Sequence, residues 1–210
     1  MDRQRRFFLA CGILMLASEI WKQWQLAFLL GGGHYNWWYF PFQLCSIPMY
    51  LCLFIGLPPS RKYTPACLTF LMDYGLLSGI FTFFDTTGMH YGHAPLTIHS
   101  YLWHILLIFL GLCAGLGKNA DYTPSGYKKS TCLYLACAFI ATLCNLAFHS
   151  FGDINMFYIS PYYHMKQKVF IHIAAALRDG PGIAVYILSI MAGAWLMHRF
   201  WDLLSERRSS

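Results

Sequence analysis

The chain has 210 residues, of which 57% are hydrophobic, 18% aromatic and only 11% charged. A soluble domain carries about 25% charge, so this deficit excludes an ordinary water-soluble globule and points to a bilayer. The formal charge of +6 implies no nucleic-acid partner, because so apolar a chain offers no basic groove; an excess of Lys and Arg on the cytoplasmic side of a membrane accounts for it.

The eight cysteines are Cys11, Cys45, Cys52, Cys67, Cys113, Cys132, Cys137 and Cys144. All fall in apolar segments, which argues against a disulfide framework, and no CxxC metal pair occurs.

In chain order, Met1 to Arg6 is a basic head, and Phe7 to about Leu30 forms a first span. Its start resembles a signal peptide, but no Ala-x-Ala site follows and Glu19 and Lys22 come too soon. Gly31-Gly32-Gly33 ends it. A second span runs from about Phe40 to Leu57 and stops at Pro58-Pro59. Pro41 suits a first helical turn. Pro48 would fall inside the helix and leave the Leu44 carbonyl without its donor. Together with Gln43 this predicts that the segment faces protein or a polar cavity near Cys45. Further spans are expected at about 64–84, 95–116, 130–150 and 180–204, each close to the ~20 residues that cross the hydrocarbon. Between the last two, Val169 to Leu177 is apolar but short, and is read as interfacial or re-entrant.

The expected fold is therefore all-α: a polytopic membrane protein with a single integral membrane domain over 1–210, and a bundle of six transmembrane helices with an interfacial or re-entrant segment before the last. The loops holding Arg61, Lys62, Lys118, Lys128 and Lys129 share one side with both termini, and the positive-inside rule makes that side cytoplasmic; only the 151–179 loop, with Lys166, Lys168 and Arg178, breaks the pattern, and long loops weigh less in this rule. Gly75-x-x-x-Gly79 and Gly111-x-x-x-Gly115 predict close helix contacts. No internal repeat is visible, which counts against the repeat-built transporter folds.

Ionisable groups in membrane spans are costly and usually functional. Glu19, Lys22 and Gln23 share a face in the outer half of span one, where Glu19 and Lys22 can also simply neutralise each other. Cys45 lies near the outer end of span two, Asp73 in mid-span three, His99 and His104 in the outer half of span four, and Asn145 and His149 at the outer end of span five. Apart from Asp73 these depths converge, which predicts one polar pocket opening outward or into the outer leaflet. A thiol in apolar surroundings is inert unless a base takes its proton. Histidine is the natural base. At ~1.5 Å per residue, Cys45 would lie about 6 Å below Pro41 and His104 about 14 Å below Pro95; His99 matches Cys45 in depth but points about 140° away from His104. The bland reading of Cys45 is a small buried hydrophobe. Asp85, His90, His93 and His99 form an alternative metal set, but without a zincin motif or a firm third ligand no metal is assigned and no cofactor is called for. His164 and His172 are read as interfacial, and Tyr158, Tyr162 and Tyr163 as an aromatic belt.

Phe40-Pro41-Phe42-Gln43-Leu44-Cys45-Ser46-Ile47 resembles the Leu-Pro-x-His-x-Cys-x-Ile signature of YwaF-like integral membrane proteins, to which the eukaryotic transmembrane protein 164 is related. His104 within Trp103-His104-Ile105-Leu106, then Asn145, then Asn155-Met156-Phe157 followed by Pro161, fit in order. Gln43 stands where the family often has histidine, and Met156 where it often has tyrosine; if that histidine were the base, this chain would lack it. For the eukaryotic relative the resemblance implies a cysteine-dependent acyltransferase moving acyl chains between phospholipids, with Cys45 as nucleophile and His104 as base. Gln43 or Asn145 would donate to the oxyanion. Glu19, Lys22, His99, His149 and Asn155 would complete the substrate site, and the partner would be a membrane lipid, a phospholipid or lysophospholipid. The alternatives are a non-enzymatic lipid or small-molecule binding or transport protein, and a structural subunit of a larger membrane complex.

Overall fold

In the computed structural model, residues 3–57, 61–117 and 119–209 are described. The expected stop at Pro58-Pro59 and the loop charge Lys118 lie outside them. Among the described residues the chain is all helical, with no strands. Helix α1 (Arg3–Trp24) continues as a π-helical stretch over Gln25–Leu30. Helix α2 (Ile47–Gly56) follows a 3-10 turn at Trp37–Tyr39. Helices α3 (Thr64–Phe70) and α4 (Leu76–Thr82) are joined without a break by a π-turn at Leu71–Gly75. Then come α5 (Ala94–Leu116), α6 (Pro124–Phe148), α7 (Phe170–Leu177) and α8 (Asp179–Ser209).

Among the described residues four helices are long and apolar enough to cross a bilayer: Thr64–Thr82, Ala94–Leu116, Pro124–Phe151 and Asp179–Arg207. Two of the six expected spans do not meet that measure. Helix α1 is long, but its C-terminal third carries Glu19, Lys22 and Gln23. Helix α2 has ten residues, far fewer than the ~20 a crossing requires. The expected helix over 40–57 is therefore corrected. Residues 40–46 form turns, and Pro48 sits in the first turn of α2, where its missing N–H costs nothing. The fifth span also starts earlier than expected: Thr123 caps α6 by accepting from Gly126 N, and Pro124 occupies its first turn.

Helices α1 and α2 pack antiparallel and very closely. A Cβ on Gly12 would come within 2.7 Å of Leu53 N, and one on Gly56 within 2.8 Å of Leu9 Cβ. At the end of α2 the buried Arg5 donates to the Ile55 and Leu57 carbonyls, satisfying two of the acceptors that every helix leaves open at its C-terminus. Gly79 meets Ile108 N and Gly111 meets Leu71 O, at 3.1 and 3.0 Å from an added Cβ, so one glycine of each GxxxG pair makes the α4–α5 crossing. Gly115 faces the Trp201 indole instead, and Gly75 only touches Pro48.

The bundle has two distinct ends. At one, Asn119 Nδ2 donates to Gln4 Oε1, and Trp201 of α8 packs on Gly115 of α5. At the other, Trp37 stacks on Phe148 at 4.9 Å, Tyr39 lies 5.3 Å from Tyr91, and Lys168 pairs with Asp85 at 3.6 Å. The start of α1, the 117–123 connection and the end of α8 thus share one end; the segments 31–46, 83–93 and 149–178 share the other. The short α7 lies along α8, with Phe170 5.0 Å from Tyr186.

Candidate functional site around Cys45

Cys45 is a half-buried free thiol at the junction between the 40–46 turns and α2. Ser46 is the helix cap, so the partial positive charge of the α2 N-terminus falls beside the thiol. Trp103 Nε1 donates to the Cys45 carbonyl at 3.0 Å, which pins the turn to α5 level with the 99–104 stretch. Because residues 40–46 are not helical, depth counted from Pro41 does not apply, and the expected offset between Cys45 and His104 loses its basis.

His104 is buried, and its Nδ1 lies 2.8 Å from the Ser100 carbonyl. A carbonyl only accepts, so Nδ1 carries the hydrogen and Nε2 of the neutral ring keeps its lone pair. His99 is placed differently. Its Nε2 lies 2.6 Å from Ser18 Oγ, and its ring sits between Trp21 and Trp103 at 5.5 and 5.7 Å. It lines a cavity of about 360 Å³ between α1 and α5, with Leu14, Ser18, Ile98, Leu102 and Trp103. Leu14, Ile98 and Leu102 are exposed on the outside of the bundle, so the cavity opens where lipid chains would lie.

Glu19 and Lys22 pair at 2.8 Å. Gln23 Nε2 donates to Glu19 Oε1 at 2.7 Å and to the Tyr39 carbonyl at 2.6 Å, which ties this cluster to the turn before Cys45.

Gln43, Asn145 and Asn155 make a second group with a different job. Gln43 Nε2 donates to the Asn155 carbonyl at 2.8 Å and Gln43 Oε1 accepts from Phe157 N at 2.7 Å. Asn145 brackets Met156 in the same way, at 3.0 and 2.6 Å, and Asn155 Oδ1 accepts from Ser160 N at 2.9 Å. These carboxamides serve as a hydrogen-bonding edge for a segment whose short 3-10 turn at Met156–Tyr158 is distorted at Phe157. They hold Phe157 and Tyr158 at φ 57° and 58°, a left-handed conformation that bulky residues rarely adopt. His149 lies apart: it is exposed, stacked on Tyr162 at 4.1 Å, with Nδ1 3.0 Å from the Leu146 carbonyl.

Sequence reasoning missed Trp103 as the anchor of Cys45. It also missed Tyr158, assigned to the aromatic belt, whose left-handed backbone follows the segment held by Gln43 and Asn145. The signal for Tyr158 was its place directly after the matched Asn155-Met156-Phe157. The alternative metal set is not assembled: among the described residues no three of His, Cys, Asp and Glu are grouped for a metal. Asp85 instead caps the turn at Thr86–Met89. The Thr87 hydroxyl, 2.6 Å away, holds its carboxyl below the usual carboxylate range despite some burial.

The model of the TMEM164 family matches residues 1–201. This chain belongs to the TMEM164 family. The relation to transmembrane protein 164 read from residues 40–47 and 103–106 is thereby shown, and with its apolar helices it makes the chain an integral membrane protein. No curated protein and no solved structure matches it.

Proposed function

We propose that this member of the TMEM164 family is a membrane-embedded acyltransferase or acyl hydrolase acting on phospholipid acyl chains, with Cys45 as nucleophile and His104 as general base. The observation that supports the reading is the Trp103 hydrogen bond to the Cys45 carbonyl, which ties the Cys45 turn to the residue next to His104; the Nδ1–H of His104 is committed to Ser100, so its Nε2 keeps a lone pair. In this mechanism His104 Nε2 takes the Sγ proton as the thiolate attacks the ester carbonyl. Collapse of the tetrahedral intermediate forms a thioester, and the proton passes from His104 to the departing lysophospholipid oxygen. A second lysophospholipid hydroxyl or a water, deprotonated by the same nitrogen, then takes the acyl group and restores the thiol. Gln43 and Asn145 have both the donating nitrogen and the accepting oxygen of their carboxamides engaged by the 155–157 backbone, so we assign them to holding that segment. The Lys22 charge and the α2 N-terminus face the developing oxyanion. The cavity beside His99 accepts the acyl chain.

The same reading extends the four apolar helices to six crossings. Residues 37–57 descend the full length of α1, from the Tyr39 carbonyl at Gln23 to the Ile55 carbonyl at Arg5. We infer a broken span, non-helical in the half that holds Cys45. Irregular backbone is tolerated at membrane depth where it is buried in protein or lines a cavity. With α1 crossing too, the end rich in Lys and Arg is cytoplasmic, and α7 lies at the opposite interface.

The test is acyl exchange in proteoliposomes holding a labelled phospholipid and an unlabelled lysophospholipid. Cys45→Ala should abolish transfer and hydrolysis while melting like the wild type, and His104→Ala should lower the rate by about 10²–10⁴. Retained transfer in Cys45→Ala sinks the mechanism. The apolar lining of the cavity also favours a second reading, lipid binding without chemistry. Selective labelling of Cys45 by a thiol probe supports the enzyme, and uniform labelling of all cysteines supports the binding protein.

A further inference from the structure

The α3–α4 and α8 helices meet over a pair of ionisable residues that the Cys45 reading does not use. Asp73 stands in the π-turn with no exposed surface, and His198 of α8 is 2% exposed. Asp73 Oδ2 lies 3.0 Å from His198 Nδ1. His198 Nε2 lies 3.0 Å from the Tyr122 carbonyl and 3.0 Å from the Thr123 carbonyl. π-turns inside helices often mark functional positions, and an intramembrane ionisable pair is costly to keep.

The hydrogens can be counted from these contacts. Nε2 faces two oxygens that only accept, so it must carry a hydrogen. Nδ1 and Oδ2 would repel as lone pairs at 3.0 Å, so a further hydrogen must lie between them. Whether it rides on nitrogen or on oxygen, the pair is neutral overall. Without it a full negative charge would stay buried. The other hydrogen bond to that carboxylate is weak: Ser130 Oγ is 3.3 Å from Oδ2 and also donates to the Tyr127 carbonyl at 3.0 Å. Asp73 Oδ1 is buried without a partner. Surrounding charges do not compensate, because Asp121 pairs with Lys129 at 3.2 Å and Arg199 with Asp202 at 2.6 Å. The other titratable groups facing the pair are Tyr127, with its ring 5.7 Å from His198, and Tyr122.

We propose that Asp73 and His198 form a proton-binding site, separate from Cys45, in which one shared proton fastens α8 to the π-turn. The edge of His198 lines a cavity of about 350 Å³ with Tyr122, Tyr127, Trp195 and Arg199, and this is where the proton exchanges with water. The cavity adjoins the 117–123 connection, at the end of α5 remote from the Cys45 turn. Loss of the proton sets a carboxylate against an imidazole lone pair in a site with no exposed surface, so the contact opens and the C-terminal half of α8 is released. Next to it, Trp201 Nε1 donates to the Met72 carbonyl at 3.2 Å, so the same release breaks a second tie.

The sign of the pH dependence follows from linkage. A proton held by the folded pair contributes stability while it is bound, and that contribution is lost as pH rises past the point at which it leaves. The experiment uses the full chain with ¹⁵N-labelled histidine in lipid nanodiscs. A strongly deshielded, exchange-protected proton coupled to one imidazole nitrogen is expected, and it should be absent in both Asp73→Asn and His198→Gln. The wild-type melting temperature should fall by about 5 °C or more as pH is raised through the loss of that resonance. Asp73→Asn should show no such slope, because an amide N–H can satisfy Nδ1 without a titrating proton. The proposal is overturned by a wild type without the resonance, or by equal pH slopes in wild type and Asp73→Asn. If neither variant folds, the wild type decides alone: coincidence of the resonance loss with the fall in melting temperature supports the site, and a melting temperature flat across that loss rejects it. The measurement is independent of acyl transfer, and Cys45→Ala should leave it unchanged.

Discussion

Asn145 has no exposed surface and offers its whole carboxamide edge to one residue, Met156, as a neighbouring strand would. Gln43 does the same across Asn155 and Phe157. A histidine at position 43, as in the resembling signature, has no planar donor–acceptor pair and could not bracket that backbone alike. Asn145→Ala leaves a buried N–H and a buried C=O without partners, at about 1–3 kcal/mol each. A fall in melting temperature of roughly 5–15 °C is expected in detergent, with acyl transfer lost in proportion to unfolding. A variant that melts like the wild type would show that the clamp does not hold the segment. At this scale the sequence marked three residues as a substrate site that the structure shows bonded to backbone. Asn155 entered only through the family resemblance, whereas hydropathy singled out Gln43 and Asn145 as polar groups in apolar surroundings, which demand partners. It could not reveal that the partner is the backbone of 155–157, because that stretch has no periodicity and its left-handed Phe157 and Tyr158 are set by tertiary contacts. His198 was open to the same argument as Asp73 and was passed over.

At the scale of elements, hydropathy located α5 and α8 well, since each is a continuous apolar run. It failed for residues 40–57 because composition does not distinguish a helix from irregular backbone that other helices bury. Pro48 was the clue, and it marks the start of α2 rather than a defect within it. The glycine spacings show the same limit. Gly75 and Gly79 look equivalent in sequence, as do Gly111 and Gly115, yet only Gly79 and Gly111 sit at the α4–α5 crossing. Gly111→Leu would drive a side chain into the Leu71 carbonyl and Leu76, both within 3.0 Å of its Cβ. A destabilisation of about 1–3 kcal/mol or more is expected for such overpacking. Gly75→Ala meets its first neighbour at 3.6 Å, an ordinary contact, and should stay within about 0.5 kcal/mol of wild type. Equal thermal melts for the two variants would remove Gly111 from the crossing.

For the whole molecule the decisive quantity is the parity of crossings. Helices α1, α3–α4, α5, α6 and α8 supply five passes if each crosses, and an odd number would put the start of α1 and the end of α8 on opposite sides. They lie at the same end: Gln4 meets Asn119, and Trp201 meets Gly115 of α5. On the proposed topology residues 37–57 then cross as well, half irregular and half helical. Two engineered cysteines in a background lacking native accessible thiols test this. Thr87→Cys, in the segment joining α4 to α5, should react with a membrane-impermeant maleimide added outside intact cells. Ser205→Cys, near the end of α8, should react only after permeabilisation, together with a tag placed before Arg3. If Ser205→Cys and the N-terminal tag are reached from opposite sides, the broken span is excluded. Cys45 would then stand at the mouth of a re-entrant hairpin rather than within a crossing.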